Sequence, residues 1–292
     1  MRFDDDSESS NVDDRRGSGG GFPIGGGSIG IGTAVLALAA WYFGIDPSIV
    51  LNGSRALQQH TQQEQNTGQP VTASKEEQQS VHFVKVVLHD LEKTWHEQFA
   101  AQTGKTYVDP KLVLFRGATQ TACGTGQTAM GPFYCPADQK VYIDLAFYDE
   151  MQRRFHAPGD FAQAYVIAHE VGHHLQNLMG ISGQVHQAQE RASSTAQANA
   201  LSVRLELQAD CFAGVWAYYA NKERHALEPG DVQEAVTAAT AIGDDALQQA
   251  SRGRIVPDSF THGSSQQRVR WLQRGLESGS LSQCNTFKTR EL

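Results

Sequence analysis

Positive charge is scarce in this chain. Its 292 residues carry 24 Lys and Arg against 32 Asp and Glu, a formal net charge of −8. Non-specific binding to nucleic acid needs a basic surface, so no nucleic-acid partner is expected. Cysteine is scarce too: there are four, with no C-x-x-C pair. That excludes a four-cysteine zinc site and a fold held mainly by disulfides, though two bridges remain possible. Long apolar runs are nearly absent, and the mean hydropathy of −0.42 excludes a polytopic membrane protein. Aromatic residues make up 9% of the chain, enough to argue against wholesale disorder. Glycine is plentiful, at 28 residues, and many of them fall before residue 33.

The organisation along the chain follows from composition. Residues 1–27 combine an acidic stretch with GSGGGFPIGGG and have little apolar mass to bury, so they read as a disordered tail. Residues 28–50 hold the one long uncharged apolar run, IGIGTAVLALAAWYFGI, with Trp41, Tyr42 and Phe43 at one end. About 20 residues of helix span a bilayer, and interfacial aromatics suit its rim, so this segment reads as a single transmembrane helix. Arg15 and Arg16 lie before it, and the next basic residue is Arg55. The Lys/Arg bias therefore predicts a cytoplasmic N-terminus and a C-terminal domain outside. Two rivals are a signal peptide cleaved near Ala37-Leu38-Ala39 and a Gly-rich buried segment of a soluble domain. Residues 51–75 form a Gln-rich linker, and residues 76–292 form the folded domain.

Within that domain Val81, Val84, Val87, Leu88, Leu91, Trp95 and Phe99 recur at helical spacing, predicting a helix over 77–101. KLVLF at 111–115 and VYIDL at 141–145 read as strands, with a Gly-rich, turn-like stretch over 121–135. The rest is helical: a helix N-capped by Asp160, running to about Met179 and closed by Gly180, and a long helix or broken pair over 184–221. Further helices begin at two capping boxes, Asp231/Glu234 (running to about Ala250) and Ser264/Gln267. The fold class is α+β, mostly helical, with a small sheet.

The chemistry lies in AYVIAHEVGHHLQNLMG. His169 and His173, spaced i, i+4, share one helical face, and both imidazoles can reach one tetrahedral Zn²⁺. Glu170 projects about 100° away, beside the metal, where it can take a proton from water and pass it to a leaving amine. The helix is otherwise apolar, and a buried histidine pair without a polar partner is costly; a metal supplies that partner.

A catalytic zinc site needs a third protein ligand and an open fourth position. Glu206 and Asp210, again i, i+4, stand in ALSVRLELQADCFAGVW among Leu205, Phe212, Val215 and Trp216. Two carboxylates on one buried face repel unless a cation sits beside them. Glu206 as ligand, with Asp210 accepting the other ring N–H of a ligand histidine, fits that need. His186, Glu190, His174 and His262 are the other candidates, though His174 points away from the metal face. His262, just before a helix, could stabilise the oxyanion of a tetrahedral intermediate or simply cap its own loop. The strand 140–145 could hold an extended peptide at a sheet edge, or serve as an ordinary core strand.

The runs CGTGQTAMGPFYCPADQKVYIDLAFY, AYVIAHEVGHHLQNLMG and ELQADCFAGVW together resemble the neutral zinc metallopeptidase family of bacterial membrane-anchored proteins. The pattern HExxH followed by ExxxD is also similar to the thermolysin-like gluzincins. The resemblance implies a zincin-like domain holding one Zn²⁺ through His169, His173 and Glu206, with Glu170 as general base and Asp210 orienting a histidine. It also implies a polypeptide substrate and a place in the bacterial inner membrane, with the catalytic domain periplasmic or otherwise extracytoplasmic. Export favours disulfides. Three pairings are possible, and Cys123–Cys135 with Cys211–Cys284 is the most economical in chain geometry. The expected function is a zinc-dependent endopeptidase; the alternative is a zinc-containing binding or scaffold protein at the membrane without turnover.

Overall fold

The computed structural model of the chain describes residues 1–3, 7–17 and 73–292. Residues 1–16 and 74–292 form one compact unit. The apolar segment expected to span a membrane, and nearly all of the linker, lie outside the described residues. Among the described residues no helix is long and apolar enough to cross a membrane.

A four-stranded sheet is built from β1 (Val12–Asp14), β2 (Lys111–Phe115), β6 (Lys140–Asp144) and β5 (Phe133–Cys135), in that spatial order. β1, β2 and β6 run parallel, while β5 is antiparallel at the edge. Alternation sorts its side chains. Leu112, Leu114, Val141 and Ile143 point into the helical core. Val113, Phe115, Tyr142 and Cys135 form a smaller cluster on the other face, with Phe133 stacked flat on Tyr142. A two-stranded hairpin, β3 (Ala118–Thr121) and β4 (Gly124–Gln127), stands apart from this sheet. The Cys123–Cys135 disulfide ties the hairpin's turn to the end of β5.

The helices are α1 (Lys75–Thr103), α2 (Ala146–Arg153), α3 (Asp160–Met179), α4 (Ile181–Glu190), α5 (Thr195–Arg224), α6 (Asp231–Ala241), α7 (Asp244–Arg252) and α8 (Ser265–Ser278). α1 is capped by the Ser74 hydroxyl and closed by a left-handed Gly104. Its periodic apolar face carries the buried residues Val84, Leu88, Leu91, Trp95 and Phe99. α5 and α8 pack in backbone contact. A Cβ at Gly275 would overlap the Cys211 carbonyl, and one at Gly214 would overlap the Leu272 carbonyl, so both crossing points require glycine. The Cys211–Cys284 disulfide fastens the turn beyond α8 to α5.

The structure corrects several expectations. The N-terminal tail is not disordered through residue 16. Val12 to Asp14 extend the sheet beside Leu112 to Leu114. The Ser9 hydroxyl and the Asn11 amide both donate to the buried Glu92 carboxylate, at 2.6 and 2.9 Å. Polar pairing fixes this segment together with the packing of Met1, Phe3 and Val12 against the core. Arg16 also binds Glu77 at 2.7 Å, which ties the end of this N-terminal segment to α1.

Smaller corrections concern helix ends. Gly159, not Asp160, is the N-cap of α3. The helix starting at Asp231 stops at Ala241, and a separate α7 follows Gly243. Its expected capping box does not form, because Glu234 accepts instead from the Phe161 N–H at 3.1 Å and Asp231 from the Glu228 N–H at 2.8 Å. The box of Ser264 and Gln267 forms in full. The segment expected over 184–221 is a broken pair, α4 and α5.

Candidate metal centre

α3 and α5 pack against each other, and Gly172 sets how closely. A Cβ there would meet the Ala209 carbonyl oxygen at 3.0 Å, so the glycine between the two motif histidines brings α3 against α5. The approach puts His169 and His173 opposite Glu206. Nε2 of His169 lies 3.1 Å from Glu206 Oε2, and Nε2 of His173 lies 3.4 Å from Oε1. The three donor groups fall within 4.8 Å of one another. Ligands around a tetrahedral Zn²⁺ at 2.0–2.2 Å stand about 3.3–3.6 Å apart, so this donor set fits zinc by spacing and by chemistry.

The hydrogen bonds on the far side of each imidazole fix its tautomer. Nδ1–H of His169 donates to Asp210 Oδ1 at 2.8 Å. Nδ1–H of His173 donates to Gln176 Oε1 at 2.9 Å. Each ring therefore offers an unprotonated Nε2 toward Glu206 when a metal is present. Burial opposes charge on His169, but the carboxylates of Asp210 and Glu206 outweigh it and push the imidazole up to about 10 in the absence of a cation. The same histidines, against burial, hold Glu206 far below the usual carboxylate range. These opposed shifts mark a site arranged around a positive centre.

Asp210 is fully buried and saturated. Besides His169 it accepts from the Tyr165 hydroxyl at 2.6 Å and, through both oxygens, from Nε and Nη2 of Arg268 at 2.9 Å each. Burial alone would raise its pKa; Arg268 and His169 hold it well below the ordinary value. Glu170 is also buried, and burial pushes its carboxyl up against the pull of the two histidines.

His169, Glu170, His173 and Glu206 all open onto one cavity of about 900 Å³. β5 and the preceding Gly131 and Pro132 form one wall, and Phe147, Phe155, Val166 and Leu247 give it apolar surface. β6 is therefore not the peptide-holding edge: it lies inside the sheet between β2 and β5, and β5 is the edge beside the site. Tyr134 of β5 also faces the cavity, but its proton is committed. Nε2–H of His174 donates to the Val108 carbonyl at 2.7 Å, leaving Nδ1 to accept from the Tyr134 hydroxyl at 3.0 Å. His174 is thus a buried structural residue, not a ligand.

His262 lines the same cavity. Its loop wraps the Asp244 carboxylate, which accepts the backbone N–H of Thr261, His262 and Gly263 at 2.7, 2.6 and 3.0 Å. The imidazole Nδ1 sits 3.3 Å from the other Asp244 oxygen. Burial works against the charged form, yet Asp244 and Glu206 raise the His262 pKa. His186 also lines the cavity, but it is exposed and pairs with Glu190 at 3.4 Å, and neither residue joins the three donors. Sequence reasoning gave no role to Tyr165, Gln176, Asp244 or Arg268. Of these only Gln176 carried a local signal, three residues after His173 on the same helical face.

Helix-borne HExxH donors and a glutamate from a second helix, open to one cleft, make a candidate three-donor metal centre. The chain belongs to the family described as putative neutral zinc metallopeptidases, whose model matches residues 1–287. It is 52% identical to the uncharacterized protein YpfJ of Escherichia coli strain K12 over 98% of this chain and 99% of that one. It is 42% identical to the uncharacterized protein Mb2605 of Mycobacterium bovis over 64% of this chain and 65% of the other. No solved structure matches it.

Proposed function

We propose that this chain is a zinc-dependent endopeptidase. The observation that carries the reading is the open centre: three protein donors converge beside a buried carboxylate, and the remaining side faces a large cleft. A zinc site kept only for structure is closed by four protein ligands and needs no such carboxylate. Zinc, when bound, supplies Lewis acidity, polarising a peptide carbonyl and making water acidic at neutral pH.

The chain's own residues supply the rest. Glu170, whose carboxyl is pushed up by burial, takes the proton of the attacking water and delivers it to the leaving amine. His262, whose charged form Asp244 favours, donates to the oxyanion as the carbonyl becomes tetrahedral. The edge of β5 offers main-chain groups to an extended polypeptide, and the apolar walls receive its side chains. Asp210, locked by Arg268 and Tyr165, keeps His169 aimed. The two disulfides support an oxidising compartment for the domain, and a β1 paired with β2 would share that compartment.

Metal analysis tests the ligand set. The purified full chain should hold about one Zn²⁺, as expected of one three-ligand site. His169→Ala, His173→Ala and Glu206→Ala should each lose most of it. Full zinc content in Glu206→Ala would show that the third ligand lies elsewhere.

A further inference from the structure

His169 and His173 are held from behind by different chemistry. Asp210 is a carboxylate locked by an arginine, whereas Gln176 is neutral and begins a chain of amides. Nε2 of Gln176 donates to the Leu205 carbonyl at 2.7 Å and to Gln208 Oε1 at 3.2 Å. Nε2 of Gln208 donates to the Cys284 carbonyl at 3.0 Å. Cys284 is the cysteine bridged to Cys211, three residues beyond Gln208 on α5.

The direction of this chain is not arbitrary. A carbonyl oxygen only accepts, so the Leu205 and Cys284 carbonyls fix which end of each glutamine amide carries hydrogen. Gln208 must then present Oε1 to Gln176, and Gln176 must present Oε1 to His173. The histidine is left to donate from Nδ1, which frees Nε2 for a metal. Both glutamines are buried. Leucine or methionine would fill the same space in this helix crossing without the cost of burying an amide. What the amides add is direction at His173.

We infer that Gln176 and Gln208 are positioning residues for His173, and that the Cys211–Cys284 disulfide anchors the far end of their relay, so that reducing this bridge weakens metal binding through His173. The inference rests on the zinc-site reading and adds to it a redox-sensitive support. Neither glutamine contacts Glu170 or lines the cleft, so the signature of the relay is metal affinity rather than chemistry.

The test uses the full chain with Zn²⁺ alone, in competition with a chelator, and with Co²⁺ as a spectroscopic stand-in. Gln176→Leu should raise the Zn²⁺ dissociation constant by about 10–100-fold, the range for losing an outer partner of a ligand histidine. The visible Co²⁺ spectrum should shift with it. A core variant on another helix such as Leu88→Ala, which lowers stability and is not part of the relay, should leave that spectrum unchanged. Gln208→Leu, which contacts no ligand, should weaken binding less and serves if Gln176→Leu fails to fold. Reduction should weaken Zn²⁺ binding in wild type, and by a smaller factor in Gln208→Leu, because one path carries both effects. Equal factors in the two proteins, or a dissociation constant within twofold of wild type in both glutamine variants, would overturn the relay while leaving the zinc site standing. A wild-type chain that binds no Zn²⁺ would overturn both.

Discussion

At the scale of single residues, His262 and Asp244 make a titratable pair whose sign can be worked out. His262 has a raised pKa in the folded chain, so its contribution to stability is complete below its unfolded value of about 6.5 and is lost as pH rises through the folded value. Asp244 is depressed, so its contribution is present above about 3.9 and lost as pH falls through its folded value. The melting temperature of wild type should therefore exceed that of His262→Ala most clearly near pH 5–6, with the gap closing on the alkaline side. A gap that widens with pH would show that the pair is not charged as described. The residues legible in the sequence were those whose signal is local. His169, Glu170 and His173 share one turn of helix, and Glu206 and Asp210 show as two acids on an apolar face. Arg268 was not legible, because its partner Asp210 lies 58 residues away and nothing near Arg268 distinguishes it from a solvated arginine. Asp244 was hidden in the same way: its meaning comes from a loop that returns to it 18 residues later.

Among the elements, those with both periodicity and end signals were read closely. β2 matched residue for residue, α3 ended at Gly180, and α8 began at its capping box. β5 was hidden in a Gly-rich stretch because it has only three residues and gains its identity from pairing with β6. The second expected capping box failed because tertiary partners outbid the local one: Glu234 turns to α3, and Asp231 to its own loop. The contact between α5 and α8 carries the sharpest prediction at this scale. Gly275→Ala places a methyl group on the Cys211 carbonyl, and backbone on both sides cannot move aside. It should destabilise by at least about 2 kcal/mol, the cost of overpacking a tight core, and lower the melting temperature by about 4–8 °C. Calorimetry of wild type and variant decides it, and an unchanged transition would mean that the two helices are not in backbone contact.

For the whole molecule, the N-terminal strand is the feature composition concealed. Its attachment depends on the buried Glu92 and on ladder hydrogen bonds, neither of which a count of apolar residues detects. Its consequence is measurable. Ser10 and Glu277 are both exposed on the same unit. Ser10→Cys and Glu277→Cys should therefore be labelled together, or protected together, by a membrane-impermeant thiol reagent in intact cells. Labelling of one and protection of the other would separate β1 from the sheet. The central claim is that the open metal centre hydrolyses peptide bonds through Glu170. It is tested most directly by measuring zinc content and cleavage of an unfolded protein for wild type and Glu170→Gln side by side. The variant should keep about one Zn²⁺ per chain, since Glu170 is no ligand, and lose cleavage by at least about 10²–10⁴-fold, the effect of removing a general base. Equal cleavage by the two proteins, or none by zinc-loaded wild type, would contradict the account.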